Sequence, residues 1–100
     1  MTKRNLSLVH PGEILLEEFI IPMNISQYKL AKGLRISPMR ISEIIRGKRA
    51  ITADTAIRLG RYFEMEAQFW MNLQTSYDLE KAIRDSYIIY KEVKPLKDAA

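Results

Sequence analysis

Two stretches with helical spacing, SQYKLAKGL and SPMRISEIIRG, are separated only by Arg35 and Ile36, and this short connection constrains the fold more than anything else in the chain. Ser26 and Ser37 can each accept a hydrogen bond from a free N–H of a first helical turn. Pro38 suits the position after a cap, where its missing N–H costs nothing. Leu30 with Leu34, and Ile41 with Ile44 and Ile45, fall at helical spacing, so each segment carries an apolar stripe. Ala31 leaves room for a close helix contact, and Gly47 fits the left-handed residue that closes a helix. Two amphipathic helices joined so tightly must pack their stripes across a corner, which is helix-turn-helix geometry.

No segment alternates apolar and polar residues over a strand's length, whereas 3.6-residue spacing recurs throughout. The expected fold is all-α, a single domain over residues 1–100 with five helices and the helix-turn-helix motif at 26–47. The first helix opens at HPGE, with His10 as a helix-start residue, pairs Leu15 with Phe19 and Leu16 with Ile20 at i and i+4, and stops at Pro22. Thr52 caps the fourth, ADTAIRLGRYF, which places Ala56, Leu59, Gly60 and Phe63 on one side. Gly60 costs about 1 kcal/mol relative to Ala in a helix, which points to a tight helix crossing there.

The fifth helix is expected over about 66–90. At 1.5 Å per residue it would be roughly 36 Å long, more than a small four-helix core can cover. Phe69, Trp70, Leu73 and Tyr77 are assigned to the core, while Ile83, Tyr87, Ile88 and Tyr90 continue beyond it. Those later residues need another surface, and a second copy of the chain, forming a homodimer, is the simplest candidate. Lys94 to Ala100 reads as a frayed end.

Charge is distributed unevenly. The whole chain carries +4, but residues 29–61 hold nine Lys and Arg against Glu43 and Asp54, a net +7 that leaves −3 elsewhere. Cations concentrated in this way suit a phosphate surface, because each one near a phosphate releases condensed counterions; a solvated face is the plain alternative. On the third helix, Met39, Ser42, Glu43 and Arg46 lie opposite the isoleucines, with Arg40 at the edge and Lys48 and Arg49 just past the end. In a helix-turn-helix the second helix enters the major groove and its first residues meet base edges. Ser37, Met39, Arg40 and Glu43 are therefore the expected base-facing set: Arg40 for guanine O6 and N7, Glu43 for a cytosine amine, Met39 for a thymine methyl. Gln27, Ser42, Arg46, Lys48 and Arg49 are expected to hold phosphates of double-stranded DNA.

Other chemistries find no support. There is no Cys, so a disulfide framework and thiolate metal sites are excluded and a reducing compartment is the natural reading. His10 is the only histidine, no His, Asp and Glu set has metal-ligand spacing, and the adjacent Glu17 and Glu18 point in different directions on a helix. No nucleophile and base converge, so no catalytic residue, metal or cofactor is expected. No apolar run reaches the roughly 18 to 20 residues of a membrane span, and MTKRNLSLVHPGE lacks a signal peptide's apolar stretch, so a cytoplasmic protein is expected.

Gln27, Leu30, Ala31, Ile41 and Gly47 resemble the pattern of the phage-repressor (Xre or Cro/CI type) helix-turn-helix family, whose DNA-binding domains have five helices. The flanking segments HPGEILLEEF, SQYKLAKGL, RISEIIRGKRAITADTAIRL and FWMNLQTSYDL resemble the HigA family of antitoxins almost throughout residues 10–82. This resemblance implies a dimer that represses its own operon and neutralises a HigB-type toxin, a ribosome-dependent endoribonuclease. A stand-alone Xre-type regulator without a toxin, and a helical interaction module that no longer binds DNA, are the competing readings. The chain departs from the pattern at Arg35, where the family usually has Gly, with Gly33 two residues earlier; at Glu64, where a Gly commonly closes the fourth helix; and at Glu66-Ala67, where Ser-Pro is usual. A left-handed conformation at Arg35 would cost roughly 1 to 2 kcal/mol.

Overall fold

In the computed structural model, which describes residues 8–98, every cap expected from the sequence is made. The Ser26 Oγ accepts from the Lys29 N–H at 2.9 Å, the Ser37 Oγ from Arg40 at 3.1 Å and the Thr52 Oγ1 from Thr55 at 3.4 Å. The helices that follow are α2 (Gln27–Leu34), α3 (Pro38–Ile45) and α4 (Ala53–Phe63). Before them lies α1 (Pro11–Ile14), continuing into a π-helical stretch (Leu15–Ile20); after them come α5 (Ala67–Lys91) and a 3-10 turn (Leu96–Asp98). No strand occurs among the described residues. The 3-10 turn replaces part of the expected fraying. Ala99 and Ala100, and the Met1–Ser7 portion of the segment judged to lack a signal peptide, fall outside the described residues.

The first helix departs from the expected pairing. The Ile21 N–H donates to the Leu16 carbonyl five residues back, at 3.0 Å, and this wider turn brings Leu15 and Ile20 to the same side, both buried. The inward pair is thus i and i+5, while Leu16 and Phe19 are only partly covered. His10 does stand at the helix start: its Nδ1 accepts from the Gly12 N–H at 2.9 Å. Only the neutral ring can do this. Burial lowers the pKa of His10 below its ordinary 6.5, against the opposing pull of Asp78 and Glu13. The unfolded chain therefore takes up the proton first as pH falls. Stability should be flat above about 6.5 and decline on acidification through the lowered value. Thermal melts between pH 5 and 7.5 should show that decline in the native chain and not in His10→Asn, which keeps a capping side chain; equal slopes would place its source elsewhere.

Leu15, Leu30, Ile41, Ile44, Leu59 and Trp70 are fully buried and join all five helices in one core. Trp70 packs its ring against Phe19 and Phe69, with centroids 5.0 and 5.1 Å away. Its Nε1–H is buried without an acceptor among the described residues. Gln74 is the other inward residue of α5. Its Oε1 accepts from the Ile51 N–H at 2.8 Å and its Nε2 donates to Asp78 Oδ1 at 2.9 Å, so the loop before α4 is tied to α5. Beyond Gln74 the helix leaves the core, with a break from helical geometry at Ser86 (φ −131°, ψ 30°). The molecule is correspondingly long, 57 × 28 × 23 Å.

Both departures at glycine positions are resolved by the backbone. Arg35 (φ 63°) and Glu64 (φ 56°) adopt the left-handed conformation that Gly would take without strain. The close approach at Gly60 is made by the start of α5: an added Cβ would lie 2.7 Å from the Met65 carbonyl oxygen and 3.1 Å from the backbone N of Ala67, the first residue of that helix. Glu64→Gly should relieve the strain at the end of α4. A gain of about 1 kcal/mol, read as a Tm rise of roughly 4 to 8 °C, is expected; an unchanged Tm would mean that the left-handed residue carries no strain here.

Candidate nucleic-acid interface

The third helix is anchored from behind by Ile41 and Ile44, fully buried, and is closed at its end by two backbone bonds. The Lys48 N–H donates to the Glu43 carbonyl at 2.8 Å and the Gly47 N–H to Ile44 at 3.0 Å, with Gly47 left-handed at φ 75°. Held in this way, α3 turns Met39, Ser42, Glu43 and Arg46 to the outside. Met39 is 67% exposed, an apolar side chain that no described residue covers. Arg46, Lys48 and Arg49 are all exposed at the helix end.

Several of the expected contact residues are engaged with one another. The Arg49 Nε and Nη2 both donate to Glu43 Oε1, at 2.8 and 2.7 Å, and the Arg46 Nε donates to Ser42 Oγ at 3.3 Å. Glu43 is thus locally neutralised. The Ser37 Oγ is occupied as an acceptor by its capping bond, which leaves its O–H to donate. Gln27 is exposed at the start of α2, on a different helix from the rest of the set.

Arg40 differs from the expectation of a freely presented base reader. Its guanidinium turns toward α4, where Nη2 donates to Asp54 Oδ2 and to Thr55 Oγ1, both at 2.7 Å. The cause is the nearby carboxylate at the α4 N-terminus, where an acidic side chain is favoured by the helix dipole. Asp54 also accepts from the Arg58 Nε at 2.9 Å, and Arg58 reaches across to the end of α2, its Nη1 donating to the carbonyls of Leu34 at 2.8 Å and Arg35 at 3.4 Å. One carboxylate thereby links α3, α4 and the turn between α2 and α3. The two guanidiniums, Arg40 first, hold the Asp54 carboxyl below its ordinary range, so what this network contributes to stability is present above that range and lost as pH falls through the lowered value.

Asp54, Thr55 and Arg58 were not singled out from the sequence. The spacing of Asp54 and Arg58 at i and i+4 is a visible signal for their pair, but the bonds to Arg40 and Leu34 span 14 and 24 residues and have no local signature. No group of His, Asp and Glu among the described residues is placed to hold a metal, and no helix there is long and apolar enough to cross a membrane. What remains is an exposed, short helix with a polar outer side and a cationic end, a shape and charge that suit a DNA groove.

The comparisons agree with this geometry. The chain matches the helix-turn-helix family over residues 16–70. It is 54% identical over 87 residues to virulence-associated protein I of Dichelobacter nodosus, covering 87% of this chain and 81% of that protein. It is 33% identical over 96 residues to antitoxin HigA-1 of Vibrio cholerae, covering 96% of this chain and 90% of the relative. The solved structure of Pseudomonas aeruginosa antitoxin HigA with the higBA promoter superimposes with a TM-score of 0.86 at 47% identity, over 90% of this chain and 99% of that one. Five helices, the two-residue turn, the capped third helix and these likenesses lead to one assignment: the chain belongs to the HigA family of Xre-type helix-turn-helix antitoxins.

Proposed function

We propose that this antitoxin binds the operator of its own operon as a homodimer and neutralises a HigB-type endoribonuclease toxin. The observation that carries the DNA half is the uncovered outer side of α3, with Met39 exposed and Arg46, Lys48 and Arg49 clustered at its end. Met39, Ser42 and Glu43 are the proposed groove-facing residues, with Ser37 and Arg40 beside them; Gln27, Arg46, Lys48 and Arg49 are assigned to phosphates. The dimer reading is supported by α5, whose exposed Ile83, Tyr87, Ile88 and Tyr90 form an apolar stretch beyond the core. A symmetric pair would set two recognition helices about 34 to 36 Å apart, one turn of duplex.

An electrophoretic shift with the DNA upstream of the gene tests the repressor half. A palindrome-specific complex at moderate salt is expected, and its absence would refute that half. Co-purification with the product of the neighbouring reading frame tests the toxin half. Failure to find such a frame, or to capture its product, leaves a DNA-binding regulator without a toxin.

A further inference from the structure

The end of α2 makes two choices against its own backbone. Gly33 lies inside the helix, where Ala is the better helix former, and Arg35 takes the left-handed conformation (φ 63°) that Gly would adopt without strain. Both choices serve one concavity. Gly33, Leu34, Arg35, Arg58, Arg61 and Tyr62 line a pocket of about 390 Å³ between α2 and α4, within the roughly 300 to 1,000 Å³ typical of small-ligand sites. A Cβ on residue 33 would overlap the Tyr62 ring, so the glycine admits that ring as a wall. The same ring meets Phe63 edge to face, with centroids 5.1 Å apart, and is held on that side too. Residue 35 adds a third arginine to the lining, and backbone strain kept beside a pocket is a sign of use. We propose that this pocket binds a free nucleoside monophosphate, its phosphate held by Arg35 and Arg61 and its base against Tyr62 and Leu34.

Charge selects the ligand. No Asp or Glu lines the pocket, and neither the Arg35 nor the Arg61 side chain has a hydrogen-bond or ion-pair partner among the described residues. Glu64 shares a neighbouring groove with Arg61 but forms no ion pair with it. Arg58 is tied to Asp54 and to the carbonyls of Leu34 and Arg35, so it supplies a fixed positive charge, and its carboxylate partner is divided with Arg40. Three cations gathered round a hollow repel one another, which stability alone does not favour. A phosphate monoester brings about −1.5 to −2 charges and acceptor oxygens that match the planar fork of arginine. The base supplies a flat face, which aromatic side chains stack on whatever its identity. A duplex offers neither part in this form: its phosphates need no hollow, and its bases are stacked out of reach of one.

Amide-shift titration of the isotope-labelled full chain tests the proposal, with AMP and GMP as probes and with adenosine and inorganic phosphate as the two halves of a nucleotide. Saturable shifts at Gly33, Leu34 and Arg35 are expected with at least one nucleotide, and each half should bind about tenfold or more weakly, having lost one of the two contacts. Arg35→Gly should weaken nucleotide binding about tenfold while its Tm is unchanged or higher, because it removes a guanidinium and the left-handed strain together. A residue that only supported the fold would lower both. Arg61→Ala, at an exposed position, should weaken binding to a similar degree and leave the Tm in place. No saturable shift at the pocket, inorganic phosphate bound as tightly as either nucleotide, or full affinity in both variants would overturn the proposal. So would variants that keep AMP binding but each flatten the salt slope for operator DNA by about 0.9, since these arginines would then serve the duplex backbone. A single-stranded oligonucleotide bound tenfold more tightly than AMP, at equal nucleotide concentration, would overturn it as well, by making the occupant a strand.

Discussion

Replacing Arg46, Lys48 and Arg49 together by alanine is expected to weaken operator binding on the order of a hundredfold at 0.15 M salt and to flatten its logarithmic salt dependence by about 2.7. The expectation follows from their placement. All three are exposed at the end of α3, and a phosphate contact contributes roughly 0.9 to the salt slope through counterion release. Their loss should affect every DNA sequence in similar proportion, since phosphates carry no sequence information. Arg49 is the weakest of the three because Glu43 already holds its guanidinium, so Arg46→Ala and Lys48→Ala should account for most of the change. Binding isotherms at several salt concentrations provide the measurement. A slope equal to that of the native chain would mean that this end of α3 points away from the duplex.

Gly12→Ala should have the largest effect on the fold itself. Gly12 is buried where α1 meets α3, and an added Cβ would overlap the carbonyl of Ile44. The obstacle is backbone, so no side-chain rotation can make room. The same carbonyl accepts the Gly47 N–H at 3.0 Å, and displacing it would disturb the closure of α3 as well. Overpacking of this kind costs about 1 to 3 kcal/mol, and the upper end is expected here, with a Tm lower by on the order of 10 to 20 °C. Thermal denaturation followed by circular dichroism measures it. A shift of only a few degrees would show that α1 can move aside cheaply.

The parts of the fold that were legible in the sequence are those settled within a few residues. Ser26, Ser37 and Thr52 announced their helices because a cap acts three residues ahead, and the turn at Arg35 and Ile36 followed from the two caps and the two stripes around it. The π-helical stretch was not legible, because LLEEFI offers apolar pairs at both i+4 and i+5, and only packing against the rest of the core selects Leu15 with Ile20. Gln74 was missed for a related reason: a polar residue on a helix reads as exposed until the unpaired Ile51 N–H is seen beside it. At the proposed interface, counting cations indicated a region but not the directions its side chains take. Arg58 turns inward to backbone carbonyls, Arg40 turns to Asp54, and Arg49 folds onto Glu43, each choice made by a partner that the charge sum treats as a single number.

Trp70 is the chain's only tryptophan, and it sits sealed in the core with its indole N–H unbonded among the described residues. The protein therefore carries a built-in optical gauge: blue emission while the interior is dry, red once water reaches the ring. Since that ring is on α5 and the proposed recognition helix is α3, one cuvette can report integrity from the indole and occupancy from a labelled duplex.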